Sequence, residues 1–193
     1  MRRYIMMRRM KALAAFGRLG VALAVGLALG AQATLFVPLG LGDLAKKADL
    51  VVHGVVLAKH SEADPQGRIF TKVELQVIEV WKGEVKGSPL TVVHGGGEVN
   101  GRRSMVTGQV DYQPGQETVA FLVRNARGEA VTLGLAQGQF QVWKDAATGE
   151  KLARNIFLGG GSSTNASIQK LDVGGNTRLT LDNLKRQVKE SAQ

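Results

Sequence analysis

The sequence contains no cysteine among its 193 residues, and it is poor in proline (4 residues) and in aromatic residues (5%). The absence of cysteine excludes a disulfide scaffold, cysteine-ligated zinc and thiol catalysis. The length is that of one ordinary domain with room for a short appendage.

Positive charge is in excess, with 25 Lys and Arg against 16 Asp and Glu and a formal charge of +9. Such a charge would suggest a polyanionic partner if it were spread over the folded domain. Residues 1–33, however, hold six of the basic residues and no acidic residue, which leaves a charge of +3 for the remainder. The composition therefore gives little support to a nucleic-acid partner.

The first 33 residues have the pattern of a secretory signal peptide. A basic head ends at Lys11, an uncharged run covers 19–30, and Ala31-Gln32-Ala33 forms an A-x-A site. This predicts cleavage between Ala33 and Thr34 and export to the periplasm or the cell exterior. The alternative is an uncleaved membrane anchor, because the uncharged run extends from Leu19 to Gly42 and could span a bilayer.

The region that follows is dominated by short apolar runs separated by turn residues. Their spacing predicts an all-β barrel or sandwich. The predicted strands are 50–59 (interrupted at His53-Gly54), 69–81, 89–94, 103–110, 117–123, 130–135, 139–144 and 151–157.

The run from Ile69 to Trp81 alternates with a period of two and then changes phase. Val73, Leu75 and Val77 alternate on one face, whereas Ile78 and Val80 continue on the opposite parity. One extra residue in a strand produces such a change, which predicts a β-bulge or a sharp coil of the strand. Long coiled strands of this kind are how small barrels close.

Helical patterns occur only near the two ends of this region. Leu41, Leu44, Ala45 and Ala48 predict a short helix, and Leu181, Leu184 and Val188 predict an amphipathic helix capped by Thr180. The predicted organisation is a signal peptide at 1–33, a β-barrel domain at 34–158, a Gly/Ser/Asn-rich loop at 159–177 and a C-terminal helix at 178–193.

The densest glycine cluster follows a predicted strand. Gly95, Gly96 and Gly97 precede Arg102 and Arg103, without the Lys-Ser/Thr ending or the helix of a phosphate-binding loop. We therefore predict a flexible loop at the barrel rim. Since rim loops on rigid barrels often hold contact residues, these five residues are the predicted binding site.

The three histidines are the other candidates for chemistry. His53 and His94 each lie between a Val-Val pair and a glycine, which predicts exposed side chains at the barrel rim. If they met, Glu62, Asp64 or Glu98 could complete a zinc site for a metal-dependent hydrolase. Neither a metal-ligand spacing nor a nucleophile elbow occurs, so we predict no cofactor and no enzymatic activity.

Aromatic residues argue against single-stranded nucleic acid as a partner. Such ligands stack on exposed aromatic rings in a basic groove. The aromatic residues here lie among alternating apolar residues, where core packing is expected. They are Phe70, Trp81, Phe121, Phe140 and Trp143. For Trp143, which is near a predicted hairpin, a surface contact is the alternative.

Three segments together resemble a family of exported bacterial proteins. They are 48–56 (ADLVVHGVV), 77–83 (VIEVWKG) and 114–122 (PGQETVAFL). Their pattern is similar to the netrin-like module, the OB-type barrel of the tissue inhibitors of metalloproteinases. The resemblance implies a mainly β, closed or partly open OB-like barrel with short terminal helices. It does not imply the inhibitory mechanism, because that family depends on cysteines.

These observations favour an exported, non-enzymatic module that binds a protein or a cell-envelope component through its rim loops. No nucleic acid is expected, and contact with membrane is expected only through an uncleaved leader. Two alternatives remain: the hydrolase that uses His53 and His94, and a protease inhibitor or protease-associated factor, which rests on the resemblance alone.

Overall fold

A computed structural model describes residues 38–157 and 179–192, which belong to one compact unit, Pro38–Gln193. The predicted signal peptide, its Ala33–Thr34 junction and the predicted loop at 159–177 lie outside the described residues. None of the helices described combines the length and the apolar character needed to cross a bilayer.

The described residues are mainly β, with one α-helix near each end. The helices are α1 (Leu41–Lys47) and α2 (Leu181–Ser191), and a 3-10 turn covers Leu135–Gly138. The strands are β1 (Leu50–Ala63), β2 (Ile69–Lys82), β3 (Leu90–Gly95), β4 (Gly97–Val99), β5 (Arg102–Ser104), β6 (Glu117–Arg124), β7 (Ala130–Thr132), β8 (Gln139–Lys144) and β9 (Lys151–Arg154).

Five of these strands close a barrel in the order β1-β2-β3-β7-β6, with β6 pairing back to β1. All the pairs are antiparallel except β3 with β7, which meet in parallel at Val92 and Ala130. The predicted mainly β barrel is therefore confirmed, and its architecture is compatible with an OB-like fold. Strands β8 and β9 continue the sheet outward from β6.

Two apolar cores lie on opposite sides of the barrel wall. The inner core fills the barrel and includes Val52, Val73, Leu75, Tyr112 and Leu122. The outer core lies between the wall and the two helices with β8 and β9, and includes Leu44, Val51, Phe121, Phe140 and Leu184. Because strands alternate their faces, neighbouring residues such as Phe121 and Leu122 serve different cores.

The predicted phase change in β2 is a set of register shifts between β1 and β2. Ile78 is the extra residue between the pairs His53–Glu79 and Gly54–Val77. A second shift falls at Trp81 and a third at Leu57 of β1. These shifts coil the two long strands so that each can pair with neighbours on both sides.

Some element boundaries differ from the predictions. Strand β1 runs without interruption through His53-Gly54, because the absence of a side chain at Gly54 lets β2 pass closely over it. The predicted strand at 103–110 is reduced to β5, and 130–135 is divided into β7 and the 3-10 turn. Both predicted helices are confirmed, and the Thr180 hydroxyl accepts a hydrogen bond from Asn183 N (3.1 Å).

The close approach at Gly54 makes a testable prediction. A Cβ there would lie 2.5 Å from the backbone oxygen of Gln76, and a strand backbone cannot move aside cheaply. We expect Gly54→Ala to lower the free energy of unfolding by about 1–3 kcal/mol in chemical denaturation.

The control is Gly42→Ala in helix α1, where a Cβ meets nothing closer than 3.9 Å. This change should be neutral or should stabilise the protein by up to about 1 kcal/mol, because alanine favours helix. Equal effects of the two substitutions would show that the coiled β1–β2 contact is not a constraint.

Candidate functional site

An open groove of about 720 Å³ lies at one end of the barrel. It is bordered by the end of β1, by the end of β3 and by the segment from Gly95 to Asp111. Four of the five predicted binding residues line it, namely Gly95, Gly96, Gly97 and Arg103. The fifth, Arg102, is exposed on β5 and is not part of the lining.

The segment from Gly97 to Ser104 is a β-hairpin rather than the predicted flexible loop. Strands β4 and β5 pair through Gly97–Ser104, Glu98–Arg103 and Val99–Arg102. Asn100 and Gly101 form the two-residue turn, and both have positive φ (50° and 74°). Asn-Gly between short β segments is the typical hairpin turn, so this dipeptide was the sequence signal for the hairpin.

The base of the hairpin is tied to the barrel. Gly96 N donates to Ile69 O (2.9 Å), and the buried Thr71 hydroxyl donates to Gly96 O (2.8 Å). A Cβ at Gly97 would overlap Ser61 Oγ and would lie 2.6 Å from Thr71 Oγ1. Glycine at 97 therefore lets the hairpin lie directly on the end of the barrel, which gives the groove a fixed wall.

The groove also contains residues that the sequence pattern did not indicate. Lys59 Nζ donates to Asp111 Oδ1 and to Gln113 Oε1 (3.2 Å each), which bridges the groove near one end. On the hairpin side, the Gln109 amide donates to Gly95 O (3.1 Å). Met105 and Val106 supply exposed apolar surface, and Met105 is 79% exposed. Contacts between residues this far apart in sequence are not visible in a local pattern.

The structure does not bring His53 and His94 together. His53 pairs with Glu79 on β2, whereas His94 pairs with Thr71, eight residues away along the same strand. At ~3.3 Å per residue the two positions are about 26 Å apart along the strand. His94 lines the groove and donates from Nδ1 to Gly95 O (2.9 Å). The prediction that the His53 side chain is exposed is wrong, because it is only 5% exposed.

His53 belongs to a polar cluster beside the outer core. Its Nε2 donates to Glu117 Oε1 (2.6 Å), and Lys151 Nζ donates to the same oxygen (2.6 Å). The His53 ring lies 6.0 Å from the Trp81 ring, centre to centre. The cluster gives a buried histidine a hydrogen-bond partner in the wall of the barrel, where an unpaired polar group would be costly.

The carboxylates predicted as further ligands do not converge on either histidine. Glu62 accepts hydrogen bonds from Lys72 (2.9 and 3.0 Å), and Asp64 accepts one from Arg68 Nε (2.6 Å). Glu98 is exposed on the hairpin. Within residues 38–157 and 179–192, no three or more His, Asp or Glu residues are arranged so that they could hold a metal ion.

The aromatic residues are only partly in the cores. Trp81, Phe121 and Phe140 are buried, whereas Phe70 is half-buried and Trp143 is 42% exposed. The Arg154 guanidinium lies 5.6 Å from the centre of the Trp143 ring. For Trp143 the expectation of core packing is wrong and the surface alternative holds, because this residue lies on the outer extension of the sheet and not in the groove.

Comparisons with protein-family models, with curated proteins and with solved structures found no match to this chain. The candidate site therefore rests on its own geometry.

The cluster around Glu117 predicts a pH-dependent contribution to stability. Partial burial raises the pKa of Glu117, but the hydrogen bonds from Lys151 and His53 outweigh it and hold the pKa below its ordinary value of 4.5. A lowered pKa means that the ionised carboxylate stabilises the folded state above about pH 4.5. This contribution is lost as the pH falls through the folded-state pKa.

We expect Glu117→Gln to lower the free energy of unfolding by about 1–3 kcal/mol at pH 7, since the charge-assisted hydrogen bonds around a buried histidine are weakened. The difference from the unmodified protein should shrink below about pH 4.5 in urea titrations at a series of pH values. Glu74→Gln, at an exposed position of β2, is the matched control and should stay close to the unmodified protein at pH 7. A Glu117→Gln difference that does not depend on pH would contradict the assignment.

Proposed function

We propose that this protein is an exported, non-enzymatic binding module and that the groove beneath the β4–β5 hairpin is its binding site. The observation that carries the proposal is the fixed wall of the groove. Gly96 is held by hydrogen bonds to Ile69 O and from the Thr71 hydroxyl, and Gly97 lies close against the Ser61 and Thr71 side chains. A site whose wall is already ordered loses little conformational entropy when a ligand binds.

The polar groups of the groove favour binding over nucleophilic catalysis. A nucleophile needs a general base within hydrogen-bond reach. The Ser61 hydroxyl instead lies 2.9 Å from the Thr71 hydroxyl, which in turn bonds a backbone oxygen. Lys59 is engaged with Asp111 and Gln113. These groups hold the walls in place, and they are not arranged around a reacting atom.

The hairpin side of the groove offers contact surface to a ligand. Met105 and Val106 expose apolar side chains, and Arg103 adds a cation beside them. Exposed apolar side chains next to an arginine are typical of protein-binding surfaces. A protein or another cell-envelope component is the ligand class that this surface fits, and the leader predicted at 1–33 places the encounter in the periplasm or outside the cell.

The resemblance to netrin-like modules supports the barrel but supplies no mechanism. An inhibitor of that family acts through cysteine, and this chain has none. Fold analogy alone therefore adds nothing to the groove as a site. The binding proposal rests on the groove, and protease inhibition stays an alternative without a residue to carry it.

Site-specific photo-crosslinking tests the proposal. Met105 is replaced by p-benzoylphenylalanine in the full-length protein, which is then irradiated in cells that express it. We expect a discrete adduct from position 105, because this side chain is exposed at the groove wall. The adduct is resolved by electrophoresis and identified by mass spectrometry.

Ile78 is the matched control, because it is an exposed apolar residue on β2 outside the groove. The same crosslinker at position 78 should give no adduct of the same mass. Absence of an adduct at 105, or the same adduct at both positions, would contradict the groove as the binding site.

A further inference from the structure

Strand β1 has an edge that is only partly paired. Strand β6 pairs with it from Leu50 to Val55, and Val56 exchanges hydrogen bonds with Gly115 and Gln116. Beyond this point β1 continues to Ala63 with β2 as its single partner among the described strands. The last part of β1 therefore has one free edge within the described part of the chain.

The hydrogen-bond pattern shows which backbone groups face that edge. Ile69 O accepts from Gly96 N, so the backbone of Ile69 faces β3 and not β1. Because N–H and C=O groups along a strand alternate between its two edges, Thr71 and Val73 also face β3.

The β1 partners of these three residues are Ala63, Ser61 and Lys59. Their N–H and C=O groups must point away from β2, toward the free edge. The 2.9 Å contact between the Ser61 and Thr71 hydroxyls agrees with this, because facing side chains are closest in pairs that share no backbone hydrogen bond.

The free edge borders the groove. Lys59, His60 and Ser61 are consecutive in β1, and all three line it. Successive side chains of a strand point to opposite faces, so a groove on one face would contact every second residue. A groove lined by three consecutive residues runs along the edge of the strand.

We propose that the groove binds an extended polypeptide segment, which adds to the free edge of β1 as a new strand. This inference rests on the proposed function and names its ligand class. Lys59, Ser61 and Ala63 would supply the backbone donors and acceptors, over a length of about 13 Å. Strand addition to an exposed sheet edge is a general mode of peptide recognition, in which main-chain hydrogen bonds provide much of the affinity.

The walls of the groove define the side chains that fit. Every second side chain of an added strand points toward the hairpin side, where Met105 and Val106 are exposed. The intervening side chains point toward the outer face, where His60, Glu62 and Lys72 lie. The fitting ligand is thus a segment with apolar residues at alternate positions and polar residues between them.

The test uses a synthetic ten-residue peptide of alternating valine and threonine with a glutamate at each end. Its control is the same peptide with N-methyl groups on alternate residues, which removes the donors of one edge. We expect the first peptide to bind the ¹⁵N-labelled protein and to slow amide exchange at Lys59, Ser61 and Ala63 by about tenfold or more. The N-methylated peptide should do neither.

A pair of variants separates the backbone of β1 from its side chains. Ala63→Pro removes an edge donor without touching the β1–β2 ladder, a position where proline is tolerated. Ala63→Ser keeps the donor and changes only an exposed side chain outside the groove lining. We expect the proline variant to weaken peptide binding about tenfold and the serine variant to bind within about threefold of the unmodified protein. If Ala63→Pro does not fold, Lys59→Pro is compared with Lys59→Ala, because both variants lose the same side-chain contacts to Asp111 and Gln113.

Several results would overturn the inference. One is that the alternating peptide does not bind at millimolar concentration. Another is that it binds without protecting the edge amides of β1 from exchange. A third is that the N-methylated peptide binds with the same affinity. If the same amides are protected from exchange without peptide and the protein has twice its monomer mass in solution, the free edge of β1 binds a second copy of this chain instead. Since the crosslink from position 105 does not depend on strand addition, it can succeed while the peptide fails, and the groove would then bind a different ligand.

Discussion

The barrel depends on strand β6 pairing back to β1. Both strands lie between the two apolar cores, with Val51, Val119 and Phe121 facing the outer core and Val52 and Leu122 facing the inner core. Burial on both faces makes this pair the part of the wall that is best shielded from water, and the hydrophobic effect acts on both sides of it. The helices, β8 and β9 cover the outer face that the barrel alone would leave exposed.

The extent of that pairing also creates the site. Strand β6 begins at Glu117 and stays beside β1 only as far as Val55, whereas β1 is 14 residues long. The residues that precede β6 do not extend the β1–β6 pairing. Gly115 and Gln116 still bond Val56, and the chain on their N-terminal side turns away from β1. The gap between this segment and the end of β1 becomes the groove, and the β4–β5 hairpin closes one side of it. Among the described residues, the barrel is therefore complete at one end and has an unpaired strand edge at the other.

Much of the fold was predictable from local patterns, since strand periodicity and caps are local. The phase change at Val77-Ile78 predicted the bulge, and Thr180 predicted the start of α2. The hairpin was also locally encoded, because Asn100-Gly101 is its turn, but the three consecutive glycines before it are typical of a loop. For the site, Gly95–Gly97 and Arg103 were predicted, while Lys59, Ser61 and Met105 were not. Their place in the groove depends on strand pairing over distances that periodicity does not contain.

Residue types and their spacing along the chain exclude disulfide and thiol chemistry. They also predict the positions of most strands and helices and the residues that alternate toward a core. The burial of His53 against Glu117 and the position of His94 in the groove depend instead on how distant strands pair. The same strand pairing leaves the end of β1 without a second strand partner in the part of the chain that the structure describes. The physical reason is that a strand's hydrogen-bonding edge has no side-chain signature, so which neighbour satisfies it is settled only when the barrel closes.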